Sequence, residues 1–138
     1  MRVLIDTTAV RYPHSGTGVY VQRLAEALGP VGVEVVEPPQ RPRGRPGGEG
    51  ARRNLVRSAR NLTLDRGWLR DGLPAAAEAA GADVIHHPLP AWCPHSGHAQ
   101  VVTVHDVAYE ALRGHFDPFW RRIARREHQR AVQSADAV

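Results

Sequence analysis

Two side chains able to take part in chemistry follow an apolar run late in the chain. His105 and Asp106 come directly after Val101–Val104, which is β-branched throughout and predicts a strand buried on both faces of a parallel sheet. Parallel sheets bind ligands at the carboxyl ends of their strands, where these two residues would lie. The histidine can hydrogen-bond a sugar hydroxyl or a phosphate oxygen, and the aspartate can orient it. In a second interpretation, His105 satisfies backbone groups and Asp106 caps a turn.

A glycine-containing turn is the second segment suited to ligand binding. The run Ser15-Gly16-Thr17-Gly18-Val19-Tyr20 follows the first predicted strand and opens a helix. Glycine lets the backbone approach a ligand closely, and a helix N-terminus offers amide donors and a positive dipole end to a phosphate. The run lacks the third glycine of the dinucleotide fingerprint and the lysine of a P-loop. Glycines that only permit a tight turn are the alternative.

Potential metal ligands are concentrated in one region: His86, His87, Cys93, His95 and His98. Structural zinc sites usually take closely spaced ligand pairs from separate elements, whereas Pro88, Pro90 and Pro94 hold this region extended. We therefore expect no metal site, and we expect His86 or His87 to end a strand at the ligand cleft. The single cysteine also excludes an internal disulfide.

Arginine alone supplies the basic charge, since the sequence contains no lysine and has a net charge of +4 at pH 7. The guanidinium group suits planar, bidentate contacts with phosphate or carboxylate. Such arginines favour an anionic surface or nucleic acid as a partner, or a solvated face without one. The low aromatic content argues against base stacking, so nucleic acid is not expected. Seven of the arginines lie close together: Arg41, Arg43, Arg45, Arg52, Arg53, Arg57 and Arg60.

The elements that would position these residues alternate between strand and helix, which predicts a doubly wound parallel α/β sheet. Residues 38–50 are rich in proline, glycine and arginine and predict a flexible surface loop. Four residues of the first helix and three of the last are expected to face the core: Val19, Leu24, Ala27 and Leu28, then Phe119, Trp120 and Ile123. Apolar runs predict strands at 3–5, 33–36, 83–86 and 101–104, and helices at 17–28, 52–60, 69–80 and 118–134.

The length predicts a single domain over residues 1–138. No apolar run approaches the roughly 20 residues needed to span a bilayer. Met1–Asp6 reaches an acidic residue too soon for a secretory signal, and the lone cysteine fits a reducing, cytoplasmic setting. At the other end, Ser134–Val138 predicts a helix end that turns into a further buried strand, which suggests that the domain is truncated there.

Taken in order, these segments resemble the N-terminal domain of retaining, family-4-type glycosyltransferases, which have the GT-B fold. The resemblance covers most of the chain except residues 38–73. Its motifs are Arg2-Val3-Leu4-Ile5-Asp6, the Ser15–Tyr20 turn, Asp83-Val84-Ile85-His86-His87-Pro88, Val101-Val102-Thr103-Val104-His105-Asp106-Val107, and Ala135-Asp136-Ala137-Val138.

The resemblance implies the Rossmann-like N-terminal half of an enzyme that transfers a hexose, with retention, from a nucleotide sugar to a sugar or lipid-linked acceptor. The donor pocket belongs to the C-terminal domain of such enzymes, so this chain alone is expected to be inactive. No cofactor is implied, and peripheral contact with an anionic membrane is expected. The alternative is a non-enzymatic α/β module that binds an anionic surface or nucleic acid through its arginines. The resemblance assigns Gly16, Thr17 and Gly18 to the donor diphosphate, His105 and Asp106 to catalysis at the transferred sugar, and His86 and His87 to the acceptor side.

Overall fold

A parallel sheet organises the chain, as the sequence predicts. The computed structural model describes residues 1–7, 15–39 and 63–138, and in these residues four strands pair in the order β2-β1-β3-β4, all parallel. The chain is therefore an α/β protein of the coarse Rossmann-like class. The strands are β1 (Arg2–Ile5), β2 (Glu34–Val36), β3 (Val84–His87) and β4 (Ala99–Val102).

Helices cover the connections between most of the strands. A 3-10 turn (Gly29–Val31) extends the first helix, and another (Arg113–His115) separates the last two. The helix predicted at 69–80 is confirmed to within one residue at its end and begins earlier: helical residues 63–67 precede a π-helical turn (Trp68–Gly72), and an α-helix follows that turn. The α-helices are α1 (Gly16–Leu28), α2 (Leu73–Ala79), α3 (Ala108–Ala111) and α4 (Pro118–Ser134), the last with the bounds that the sequence predicts.

Capping side chains determine where the two long helices begin. Ser15 precedes α1, and its Oγ accepts a hydrogen bond from the Gly18 amide at 3.2 Å. Asp117 precedes α4, and its Oδ1 accepts from the Trp120 amide at 2.9 Å. Each cap satisfies an amide that the first helical turn leaves without a partner, and Pro118 supplies a first helical residue that has no amide to satisfy.

Apolar side chains on both faces of the sheet form the core. On one face, Leu4 and Ile85 pack with Leu73 and Ala77 from α2. On the other face, Val3 and Ile5 pack with residues of α1, of which Val21 is the most buried. Successive residues of a strand point to opposite faces, so helices on both sides require nearly continuous apolar strands.

The fourth strand lies earlier in the sequence than predicted, at Ala99–Val102 rather than 101–104. It pairs with β3 from Val84↔Ala99 to His87↔Val102, and the Thr103 amide then donates to the carbonyl of His87 at 2.9 Å. Gln100 interrupts the apolar pattern, yet it is a buried strand residue. His105 consequently stands three residues beyond the strand.

The predicted core side is confirmed in part for α1 and is wrong for α4. In α1, Leu24 and Leu28 pack on the core beside the buried Val21, whereas Val19 and Ala27 are exposed. In α4, the predicted core residues Phe119, Trp120 and Ile123 are exposed by 74, 45 and 46 %. The buried side of α4 has smaller and more polar residues, with Ala131 fully enclosed and His128 packed edge-on against Tyr109 at 4.8 Å.

After α4 the chain returns to the edge of the sheet. Ala137 forms a parallel bridge with Val101, and its carbonyl accepts from the Val102 amide at 3.0 Å. The turn towards a further strand is as predicted, but residues 136–138 are exposed rather than buried. The predicted helix at 52–60, the seven clustered arginines and all but the first two residues of the 38–50 loop lie outside the described residues, as do residues 8–14. Among the helices of the described ranges, none has the length and apolar character to cross a membrane.

Candidate functional site

The carboxyl ends of three neighbouring strands meet at one edge of the sheet. Ile5 at the end of β1 pairs with His86 of β3, and His87 pairs with Val102 at the end of β4. The Asp6 amide continues the pairing by donating to the His86 carbonyl at 2.9 Å. Because the strands are parallel, the polar residues that end them gather at this edge, where parallel sheets bind ligands.

A shared hydroxyl joins helix α1 to strand β3 at this edge. The Oγ1 of Thr103 lies 2.8 Å from Nε2 of His86 and 3.0 Å from the Tyr20 hydroxyl. Burial, and secondarily the charge of the adjacent His87, lowers the pKa of His86 below its ordinary value of 6.5. The His86 ring is therefore neutral at neutral pH, and a neutral imidazole carries one donor and one acceptor nitrogen.

His105 is an exposed imidazole fixed by two contacts. Its Nε2 lies 2.9 Å from the carbonyl oxygen of Pro88, and its ring meets the Tyr20 ring edge-on with centroids 4.9 Å apart. A carbonyl oxygen only accepts, so Nε2 carries the proton and donates. When the ring is neutral, Nδ1 therefore holds the lone pair and can accept a hydrogen bond from a ligand hydroxyl.

Asp106 acts locally as a cap. Its side chain is exposed, and Oδ1 accepts a hydrogen bond from the amide of Ala108 at 2.9 Å, at the start of α3. This contact matches the second interpretation of the His105-Asp106 pair, in which the aspartate orders the turn. A role for Asp106 at a ligand would therefore be to hold the loop that carries His105.

Only part of the glycine-containing turn at Ser15–Tyr20 is exposed. Gly18 is buried, and its amide is already engaged by the Ser15 cap. Gly16 is exposed and Thr17 is half-buried, and apart from its chain neighbours and its own helix backbone, no described residue has a heavy atom within 4 Å of the point where a Cβ of Gly16 would be. Tyr20, which touches His105, lies one helical turn after Gly16. Tyr20 thus connects the first turns of α1 with His105.

His87 is part of the interior, contrary to its expected place on the acceptor side. Its side chain is fully buried, and Nε2 donates to Oε1 of Gln100 at 3.2 Å. The same oxygen accepts from the Cys93 amide at 2.6 Å, while Nε2 of Gln100 donates to the Cys93 carbonyl at 3.1 Å. The side-chain amide of Gln100 thus pairs with the backbone of Cys93 as the backbone of a neighbouring strand would. These hydrogen bonds hold the loop of residues 88–98 against the sheet. Gln100 is the one polar residue of β4, and the sequence pattern did not point to its role.

A buried acidic group lies beside this interior cluster. Oδ2 of Asp6 is 3.9 Å from Nδ1 of His87, which has no hydrogen-bond partner among the described residues. Burial, with a contribution from the negative charge of Asp6, raises the pKa of the Cys93 thiol to about 12. The thiol therefore stays protonated at neutral pH and is a packing group rather than a nucleophile.

The remaining histidines of this region do not gather around one point. His98 approaches Glu78 at 3.6 Å and hydrogen-bonds Ser96, while His95 is exposed. Within residues 1–7, 15–39 and 63–138, no group of three or more His, Cys, Asp or Glu side chains is arranged to hold a metal ion.

No protein-family model, curated protein or solved structure matches this chain. The glycosyltransferase resemblance therefore depends on the sequence motifs themselves. The geometry adds that Tyr20 of the glycine-containing segment contacts His105 of another motif, while His87 and the Gly18 amide are committed to internal contacts.

Replacing Thr103 by valine removes the hydroxyl shared by Tyr20 and His86. We expect Thr103→Val to lower the free energy of unfolding by about 1–2 kcal/mol, because the buried His86 nitrogen loses its partner. Thr103→Ser keeps the hydroxyl and is the matched control, with a smaller loss. Urea unfolding of the three proteins measures the difference. Equal stability of the valine and serine variants would show that this hydroxyl contributes nothing.

Lowering the pH is expected to destabilise the fold through His86. The pKa of His86 is lower in the folded protein, so the unfolded chain binds more protons between the folded pKa and about 6.5. The free energy of unfolding then falls as the pH decreases through this window, by at most about 1.4 kcal/mol per pH unit for one group. His86→Asn keeps a polar side chain but does not titrate, so urea unfolding between pH 7.5 and 5.5 should give it a shallower slope. Identical slopes would contradict the lowered pKa.

Proposed function

We propose that this chain is the acceptor-side half of a nucleotide-sugar-dependent glycosyltransferase, which transfers a hexose with retention to a sugar or lipid-linked acceptor. The observation that carries the proposal is the position of His105. Its exposed imidazole stands at the carboxyl edge of a parallel sheet, in contact with Tyr20, one helical turn from Gly16. Tyr20 thus connects the histidine that the resemblance assigns to the transferred sugar with the helix whose first turn it assigns to the donor diphosphate.

The contacts of His105 suit a sugar-binding role. With Nε2 donating to the Pro88 carbonyl, the ring presents Nδ1 as its second polar atom. A neutral ring accepts a hydrogen bond there from a hydroxyl of the transferred hexose, and a protonated ring donates to a phosphate oxygen. The Tyr20 ring and the Pro88 carbonyl restrict the orientation of the imidazole, which lowers the entropy lost on binding.

The transfer itself needs no protein nucleophile in this proposal. The acceptor hydroxyl oxygen forms a bond to the anomeric carbon while the bond from that carbon to the diphosphate oxygen breaks. The acceptor proton passes to the leaving phosphate, and the nucleoside diphosphate departs. Gly16 and Thr17 would lie against the diphosphate, where the positive end of the α1 dipole favours the developing negative charge. His105 would orient the hexose, and Asp106 would hold its loop.

The test is a transfer assay on the natural protein that contains this chain. Nucleoside diphosphate release is measured with uridine, guanosine and adenosine diphosphate hexoses and a panel of sugar and lipid-linked acceptors. We expect transfer from at least one donor, and we expect His105→Ala to lower kcat/KM by about 100-fold through loss of positioning. His95→Ala is the matched control, because His95 is an exposed histidine that has no place in the proposed sugar site. Folded protein that transfers no hexose, or a His105→Ala variant with the control's activity, would overturn the proposal.

A further inference from the structure

The side chain of Tyr20 is held at two points. Its ring meets the His105 ring edge-on with centroids 4.9 Å apart, and its hydroxyl lies 3.0 Å from Oγ1 of Thr103. Oγ1 of Thr103 in turn lies 2.8 Å from Nε2 of the buried His86. A chain of contacts therefore runs from the interior of the sheet to the exposed imidazole of His105.

The hydrogen atoms available in this chain limit how it can be arranged. The Thr103 hydroxyl has one hydrogen to donate and can accept from both of its neighbours. When the His86 ring is neutral, Nε2 can accept from Thr103 while Tyr20 donates to Thr103. A protonated His86 ring has donors only, so its Nε2 can no longer accept the Thr103 hydrogen. Protonation of His86 therefore changes the partner of the Thr103 hydroxyl, and with it the contact that holds Tyr20.

The surroundings of His86 disfavour its protonated form. The ring is 6 % exposed, and burial, followed by the charge of His87, lowers its pKa below the ordinary value of 6.5. A ring that is nevertheless protonated gains free energy by turning towards water, which breaks its contact with Thr103. Both responses, the reversed hydrogen bond and the turned ring, disturb the position of Tyr20.

Other charged groups near His86 are engaged elsewhere in the described part of the chain. Oδ2 of Asp6 approaches Nδ1 of His87 at 3.9 Å, and Arg23 pairs with Glu26 at 2.7 Å in an exposed position. Arg2 pairs with Glu34 at the amino end of β1, away from the carboxyl edge. The titratable side chains on the elements packed against His86 are Arg2 and Asp6 on and after β1, His87 on β3, Tyr20, Arg23 and Glu26 on α1, and His105 after β4.

We propose that His86 is a positioning residue for His105, which acts through Thr103 and Tyr20 and holds the imidazole in its sugar-binding orientation only while the His86 ring is neutral. His86 would thus contribute to hexose binding without touching the hexose, in place of the acceptor-side contact that the resemblance implies. The identity of the ligand rests on the proposed function, whereas the coupling between the two histidines is a property of the protein without ligand.

NMR of the natural protein that contains this chain tests the coupling without a donor. The measurement is the nuclear Overhauser effect between the ring hydrogens of Tyr20 and His105, followed from pH 8 to pH 5. We expect it to fall to less than about half of its value at pH 8 as His86 becomes protonated. His86→Asn cannot titrate and should keep a constant signal, whereas the matched control His95→Asn, at an exposed histidine, should behave like the unaltered protein.

Variants of the two hydroxyl residues separate this role from a purely structural one. Thr103→Val should weaken the signal at every pH, and Thr103→Ser should restore both the signal and its pH dependence. Tyr20→Phe keeps the ring but lacks the hydroxyl, so it should lose the pH dependence. This variant keeps the inference testable if Thr103→Val fails to fold.

Kinetics of the same variants measure the consequence for transfer. Thr103→Val should raise the KM for the donor about tenfold with a smaller change in kcat, and Thr103→Ser should restore it. His86→Asn should remove one acidic inflection from the pH profile of kcat/KM, and His95→Asn should leave the profile unchanged.

The outcomes distinguish this inference from the proposed function. A Tyr20–His105 signal that is constant with pH in the unaltered protein, and equal in Thr103→Val, would overturn the coupling. If the signal follows the expected course but the protein transfers no hexose, the coupling stands and the proposed function fails. If hexose is transferred with the same KM and pH profile in all variants, His86 has no part in positioning the sugar-binding histidine.

Discussion

The candidate site depends on one constraint, the parallel pairing of β3 with β1 on one side and β4 on the other. Because all three strands run in the same direction, every residue that follows a strand is delivered to the same edge. The apolar parts of the strands are covered on both faces, so most polar groups are placed where the strands end. Asp6, His86 and His87 are all buried close to this edge, and each needs partners there.

The alternation of side chains along β3 gives two adjacent histidines different surroundings. His86 shares the face of Val84 and α1, where Thr103 and Tyr20 contact it. His87 shares the face of Ile85 and α2, where Gln100 and the loop around Cys93 enclose it. His86 supports the exposed part of the carboxyl edge through its contact with the Thr103 hydroxyl, whereas His87 stabilises the interior. The same period of two therefore explains why only one of the pair lies close to the proposed ligand.

Much of this fold could be predicted from local signals, and the exceptions have tertiary causes. The bounds of α4 follow from the Asp117 cap and Pro118, and the apolar runs predict the strands to within two residues. The start of β4 could not be predicted, because Gln100 is acceptable in a buried strand only when its amide meets Cys93 and His87 across the loop. The prediction of the buried face of α4 was also wrong, because that face is formed by Ala131 and by His128, a polar residue whose ring packs on Tyr109.

The sequence predicts which residues of the candidate site follow strands, but it does not predict which side chains they contact. His105 and Gly16 were identified from their places after strands, and the structure brings their segments together. Tyr20 and Thr103, which link those segments, were missed as functional residues although both lie within the quoted motifs. The spacing of Tyr20, four residues after Gly16, puts both on one helical face and is the signal that could have found it.

The most direct test is an NMR titration of the natural protein that contains this chain with nucleoside diphosphate hexoses, observing backbone amides and histidine side chains. We expect saturable shifts at Gly16, Thr17 and the His105 ring, with smaller shifts at Tyr20 and Thr103, and none at the exposed His95 control. Shifts confined to other parts of the protein at saturating donor would contradict a sugar-nucleotide site at the carboxyl edge of this sheet.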